Sequence, residues 1–111
     1  MHVTTNGATI KLGFEWDEAK NRQNIKKHGF DLADAQYLFT GHEPLLVAAD
    51  SREEYGEERW KGIGMLQGVA VVVVVFTERR DDTIRIISLR KASSQERKAY
   101  EKEVKNRLGA G

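Results

Sequence analysis

The chain of 111 residues contains no cysteine. That excludes disulfides, a thiolate nucleophile and thiolate zinc sites, and nothing points to an oxidising compartment. A cytoplasmic protein is therefore the expectation. Long apolar runs are also lacking: the longest, Val69 to Phe76, has eight residues, against the roughly 20 that a bilayer span requires. The N-terminal "MHVTTNGATIKLG" carries no signal-peptide pattern, so neither a membrane partner nor a visible export route is expected. There is no phosphate-binding glycine loop, no Ser-His-Asp order and no HExxH. The three histidines, His2, His28 and His42, are far apart in sequence. A metal enzyme is disfavoured on these grounds, and no cofactor is expected.

What is present is charge, unevenly spread. Residues 1 to 78 carry 8 Lys/Arg against 12 Asp/Glu, whereas residues 79 to 111 carry 10 against 5. A formal net charge of +1 therefore hides a basic last third. The length suits one domain with a single core. Residues 1 to 12 have no sustained periodicity and read as an extension, disordered or forming an edge strand, ahead of a domain over 13 to 109.

From Asp17, a plausible N-cap, a helix is predicted to run to Gly29, with "KKH" in its last turn. Asn21, Asn24, Ile25 and His28 share one of its faces, so it is weakly amphipathic and must dock largely through the flanking Phe14, Trp16 and Phe30. A second, short helix follows Asp31, with Leu32, Ala35, Leu38 and Phe39 as its apolar stripe and Gly41 at its end. Strands are expected over 44 to 50, 59 to 66, 69 to 77 and 83 to 89, and their short connections predict antiparallel neighbours. The valine run does not alternate, which fits a central strand covered on both faces. "SSQERKAYEKEVKNRL" opens with a capping box, Ser93 to Glu96, and carries a stripe of Tyr100, Val104 and Leu108. The class is α+β, with a mainly antiparallel sheet, an N-terminal helical hairpin and a C-terminal helix.

Candidate chemistry lies in cations at strand ends: Arg59, Arg79, Arg80, Arg85 and Arg90. Rigid guanidinium forks on a rigid sheet suit phosphate, because each binds two oxygens and stays charged. Arginines beside "DD" and "EE" also form ordinary surface ion pairs. Lys26, Lys27 and His28 make a basic helix end suited to an RNA backbone, or simply complementary to the helix dipole. In "GEERW", Glu57 and Glu58 are possible proton acceptors. Tyr100 shares its stripe with Val104 and Leu108, which favours packing, and Arg97 lies one turn before it.

The ordered segments "FEWDEAKNRQNIKKHGF", "GEERWKGIG", "VVVVVFTER", "IRIISLRKAS" and "ERKAY" resemble the successive motifs of the BrnT toxins of BrnT/BrnA type II toxin-antitoxin systems, from Phe14 to about Tyr100. The resemblance implies a RelE-like fold, RNA cleavage without a metal, translation inhibition, and neutralisation by a BrnA-type antitoxin that binds operator DNA. It also implies a homodimer or hetero-oligomer with the antitoxin. It puts functional weight on Lys27 and His28, Glu57 and Arg59, Arg79, Arg90, and Arg97 with Tyr100. The chain departs from the family in its longer N-terminus and in Leu89, where a small residue is usual.

The expected mechanism is attack of a ribose 2′-hydroxyl on the adjacent phosphorus. Arg79 and Arg90 would stabilise charge with support from Arg59. Glu57 or His28 would move the proton, with Tyr100 third, and Lys26, Lys27, Arg80 and Arg97 would hold RNA. Two rivals use the same cations: a nucleic-acid-binding module that leaves RNA intact, and an interaction module whose basic third docks an acidic partner.

Overall fold

A computed structural model describes residues 2–5, 8–50 and 58–109. Strands β1 (His2–Thr5) and β2 (Ala8–Lys11) pair antiparallel as a separate two-stranded sheet. The main sheet has five strands: β3 (Gly13–Glu15), β4 (Leu45–Asp50), β5 (Arg59–Leu66), β6 (Ala70–Arg79) and β7 (Thr83–Lys91). They lie in the order β3-β7-β6-β5-β4. The sheet is mixed, because β3 runs parallel to β7 while the other neighbours are antiparallel. Helix α1 (Glu18–His28) sits between β3 and a 3₁₀ turn (Leu32–Ala35) that leads into the short α2 (Gln36–Thr40). Helix α3 (Ser94–Gly109) follows β7.

Strand β6 is central, and Val71 to Thr77 are all buried. Its even residues Val72, Val74 and Phe76 pack under Leu32, Ala35, Leu38 and the edge of Phe39. On that face β5 presents Gly62 and Gly64, which leave room for Leu45 and Leu38; a Cβ at either would come within 3.1 Å of Leu45. The odd residues Val71 and Val73 face the other way, onto Tyr100, with Val104 of α3 packed alongside. Pairing with β5 on one edge and β7 on the other also removes the edge-pairing hazard of a valine run.

The turns set the boundaries. Val69 is 85% exposed, so β6 starts one residue later than the apolar pattern predicts: Gln67 and Gly68 have positive φ, and the Val69 N–H donates to the Leu66 carbonyl at 2.9 Å. At its far end β6 continues past Thr77 to Arg79, because Asp81 and Asp82 take the left-handed turn instead.

Helix α1 docks by a route the apolar pattern misses. Its buried residues are Asn21 and Asn24, while Ile25 stays 43% exposed. Asn21 accepts the Leu32 N–H at 2.8 Å and donates to Asp31 at 2.9 Å. Asn24 donates to the carbonyls of Phe30 and Leu89, at 2.9 and 2.8 Å. Phe14, Trp16 and Phe30 pack against the core from both ends of the helix. Amide groups thus supply docking that apolar area does not, since a buried polar group is tolerated when it is paired.

Candidate active site

Strand register decides which cations meet. On β5, Arg59 and Lys61 share a face by simple alternation, and Lys61 is opposite Val75 of β6. Arg79 lies on the same face of β6 as Val73, Val75 and Thr77, because even spacing preserves the face. On β7, Arg85 and Arg90 are five residues apart, so a regular strand would send them to opposite faces. The structure has a bulge there: Val75 pairs with Ser88 and Phe76 with Ile86, leaving Ile87 as an extra residue. The bulge restores the phase, and Arg85 opposite Thr77 and Arg90 opposite Val73 then face the same side. Arg59, Lys61, Arg79, Arg85 and Arg90 therefore share the face that α3 covers only around Val71, Val73, Ile63 and Met65.

Among the hollows that open on this face, two are lined by these cations. A cavity of about 630 Å³ is lined by Lys27, His28, Asp50, Lys61, Val75, Ile87, Ser88 and Arg90. A smaller one of about 180 Å³ is lined by Asp17, Lys20, Arg59, Arg79 and Arg85 with Ile86 and Ile87. Arg79 and Arg90 do not line the same hollow. Arg79 lies six residues along β6 from Val73, the partner of Arg90, which is about 20 Å of strand.

Helix α1 reaches the larger cavity because Asn24 clips it to β7. His28, one turn after Asn24, is thereby brought to the same wall as Ser88 and Arg90. Burial lowers the His28 pKa from its ordinary value, and the nearby positive charges of Lys27 and Arg90 lower it further. The imidazole is therefore neutral at pH 7, the form that can accept a proton. Arg90 is held by Glu96, whose two carboxylate oxygens accept from Nη1 and Nη2 at 2.8 and 2.9 Å. Lys61 Nζ lies 3.5 Å from the same carboxylate. Arg85 pairs with Glu15 across the β3–β7 junction.

The other sequence candidates lie as follows. Lys26 and Arg80 are exposed, on α1 and in the β6–β7 turn. Arg97 is on α3, paired with Glu101 at 3.0 Å. Tyr100 is buried against Val71 and Val73, and its hydroxyl donates to the Pro44 carbonyl at 2.7 Å. Burial raises its pKa, and it lines neither hollow. Glu57 lies outside the described residues.

Sequence reasoning passed over Lys61, Ser88, Asp50 and Glu96. Lys61 was recoverable from its i+2 spacing to Arg59. Glu96 was visible as a helix cap, but its pairing with Arg90 depends on how the strand turns into the helix. Among the described residues no three His, Cys, Asp or Glu side chains are grouped so as to hold a metal ion. No helix among them is long and apolar enough to cross a membrane.

Residues 16–96 match a family model described as the ribonuclease toxin BrnT of type II toxin-antitoxin systems. The fold is similar to the crystal structure of the Brucella abortus ribonuclease toxin BrnT, with a TM-score of 0.57 and 27% sequence identity, covering 76% of this chain and 100% of that one. The comparison with curated proteins returns no match.

Proposed function

Since the chain belongs to the BrnT family, the ribonuclease toxins of type II toxin-antitoxin systems, we propose that it is a metal-independent, RelE-like endoribonuclease that inhibits translation by cutting RNA. A BrnA-type antitoxin neutralises it, and operator DNA is reached only through that complex. The observation that carries this reading is the cavity in which Lys27, His28, Lys61, Ser88 and Arg90 converge.

The reaction places a phosphodiester in that cavity. Neutral His28 takes the proton from the ribose 2′-hydroxyl, and the oxygen attacks the adjacent phosphorus. Negative charge grows on the equatorial oxygens, where the Arg90 guanidinium and the Lys61 ammonium are already fixed, so no reorganisation is needed at the moment of reaction. Lys27, on the same wall, is the candidate donor to the departing 5′-oxygen. The products are a 2′,3′-cyclic phosphate and a 5′-hydroxyl end. The second hollow, with Lys20, Arg59, Arg79 and Arg85, holds the strand further along from the reacting phosphate, which gives Arg79 and Arg59 a substrate-holding task.

The test is incubation with a defined RNA in chelator, comparing wild type with Arg90→Ala and His28→Ala after both are shown to fold. Each variant should lose on the order of 10² to 10³ in rate, and the product should carry a cyclic phosphate. RNA that stays intact with wild-type protein, also in the presence of ribosomes, would move the assignment to a binding module.

A further inference from the structure

We propose that Glu96, in the first turn of α3, is a positioning residue that aims Arg90 into the cavity and draws Lys61 alongside it. This rests on the ribonuclease reading above.

The geometry carries it. A guanidinium has five N–H donors. Arg90 spends one from Nη1 and one from Nη2 on Glu96, at 2.8 and 2.9 Å, and a second from Nη1 on the Lys91 carbonyl at 3.3 Å. Among the described residues its Nε–H and one Nη2–H have no partner, and they lie on the same edge of the plane and parallel, which is the spacing that matches two oxygens of a phosphate. The end of the fork that Glu96 grips therefore determines where the remaining edge points. Lys61 comes to 3.5 Å from the second carboxylate oxygen, so one anion orders a cation from β5 and a cation from β7.

Glu96 is itself fixed. Its carboxylate accepts the Ser93 N–H at 2.8 Å, and its own N–H donates to the Ser93 hydroxyl at 3.1 Å, the reciprocal capping box. The Arg90 guanidinium, helped by the Ser93 N–H, holds the carboxyl well below the usual carboxylate range, so it is ionised at neutral pH. A glutamate that only capped the helix would not need both oxygens on an arginine of the neighbouring strand. One that only formed a surface pair would not be locked to the helix start.

The experiment is a double-mutant cycle on RNA cleavage with Glu96→Gln, Arg90→Ala and the pair, with Ser93→Ala as control. Gln keeps the shape and can still cap, so Glu96→Gln should fold while lowering kcat by about tenfold with KM changed by about twofold or less. In the Arg90→Ala background it should cost much less than the tenfold it costs in wild type, since only Lys61 is then left for it to position. Ser93→Ala removes the hydroxyl that accepts the Glu96 N–H but keeps the Ser93 N–H on the carboxylate, so it should lower stability and cost kcat less than Glu96→Gln does. Unchanged kcat in Glu96→Gln, or effects that simply multiply in the pair, would overturn the proposal.

If wild type or Arg90→Ala shows that the site is not a ribonuclease, a second readout decides positioning alone. The Arg90 side-chain N–H resonances should be separate and slowly exchanging in wild type and averaged in Glu96→Gln. A freely rotating guanidinium in wild type would sink the idea regardless of activity.

Discussion

Asn24 of α1 holds both backbone groups of Leu89 in β7 with a single side-chain amide: Nδ2 donates to the carbonyl at 2.8 Å, and Oδ1 accepts the N–H at 3.2 Å. The contact mimics a neighbouring strand on a stretch of β7 beyond the reach of the short β3. It also fixes the phase of α1, so His28, four residues on, meets the wall that carries Arg90, the residue after Leu89.

Asn24→Leu keeps similar bulk but leaves the Leu89 N–H and carbonyl unpaired in a buried place and takes the donor from the half-buried Phe30 carbonyl. The expected cost is about 2–4 kcal/mol, one desolvation penalty for each stranded Leu89 group, read as a lower urea midpoint at unchanged m-value. A cost below about 0.5 kcal/mol would mean that α1 docks by its aromatic flanks alone.

The rate of cleavage should fall with acid only below the ordinary histidine pKa of 6.5, because burial and then the charges of Lys27 and Arg90 disfavour the protonated ring. The same shift links to stability. The folded state binds fewer protons than the unfolded state between the depressed pKa and 6.5, so stability rises with pH through that window. His28→Gln should remove both dependences, measured as a pH-rate profile and as unfolding free energy against pH. An acid limb that survives the substitution would assign the base elsewhere.

Tyr100→Phe deletes the hydroxyl that donates to Pro44 and leaves the ring packed on Val71 and Val73. A loss of about 1 kcal/mol is expected, with cleavage within about twofold of wild type. A drop in rate on the order of 10² at intact fold would bring the phenol into the reaction.

The β6–β7 turn holds Asp81 and Asp82 at φ of 60° and 55°, a region that costs residues with a Cβ roughly 1 kcal/mol. Asp82→Gly relaxes that strain, and a rise in Tm of a few degrees is expected by calorimetry. An unchanged or lower Tm would show that the gain is lost to the greater freedom of glycine in the unfolded chain.

Binding of RNA by the cleavage-defective His28→Ala variant should weaken steeply with salt. Adding Lys27→Ala should reduce the slope of log K against log salt by about 0.7, the value for one phosphate contact on a single strand. An unchanged slope would place Lys27 away from the phosphates.

By itself the sequence determined the main elements, but not the separate β1–β2 sheet or the 3₁₀ turn ahead of α2. The unbroken valines demanded a strand buried on both sides, Asp17 and Gly29 marked the ends of α1, and Ser93 with Glu96 marked the start of α3, because capping, turn geometry and apolar period are local. It also carried the ordered motifs that resemble the BrnT family. Tertiary structure decided how those elements meet. Arg85 and Arg90 share a face only because Ile87 is an extra residue in β7, and bulges are set by pairing across strands rather than by either strand alone. Asn24 reads as a polar interruption of an apolar face until Leu89, 65 residues away, supplies its partner. Glu96 reads as a helix cap until the chain, turning from β7 into α3, sets it against Arg90. Contacts between residues distant along the chain, or joined through a change of direction, depend on the packed arrangement of the elements, and the periodicities that reveal each element carry no record of that arrangement.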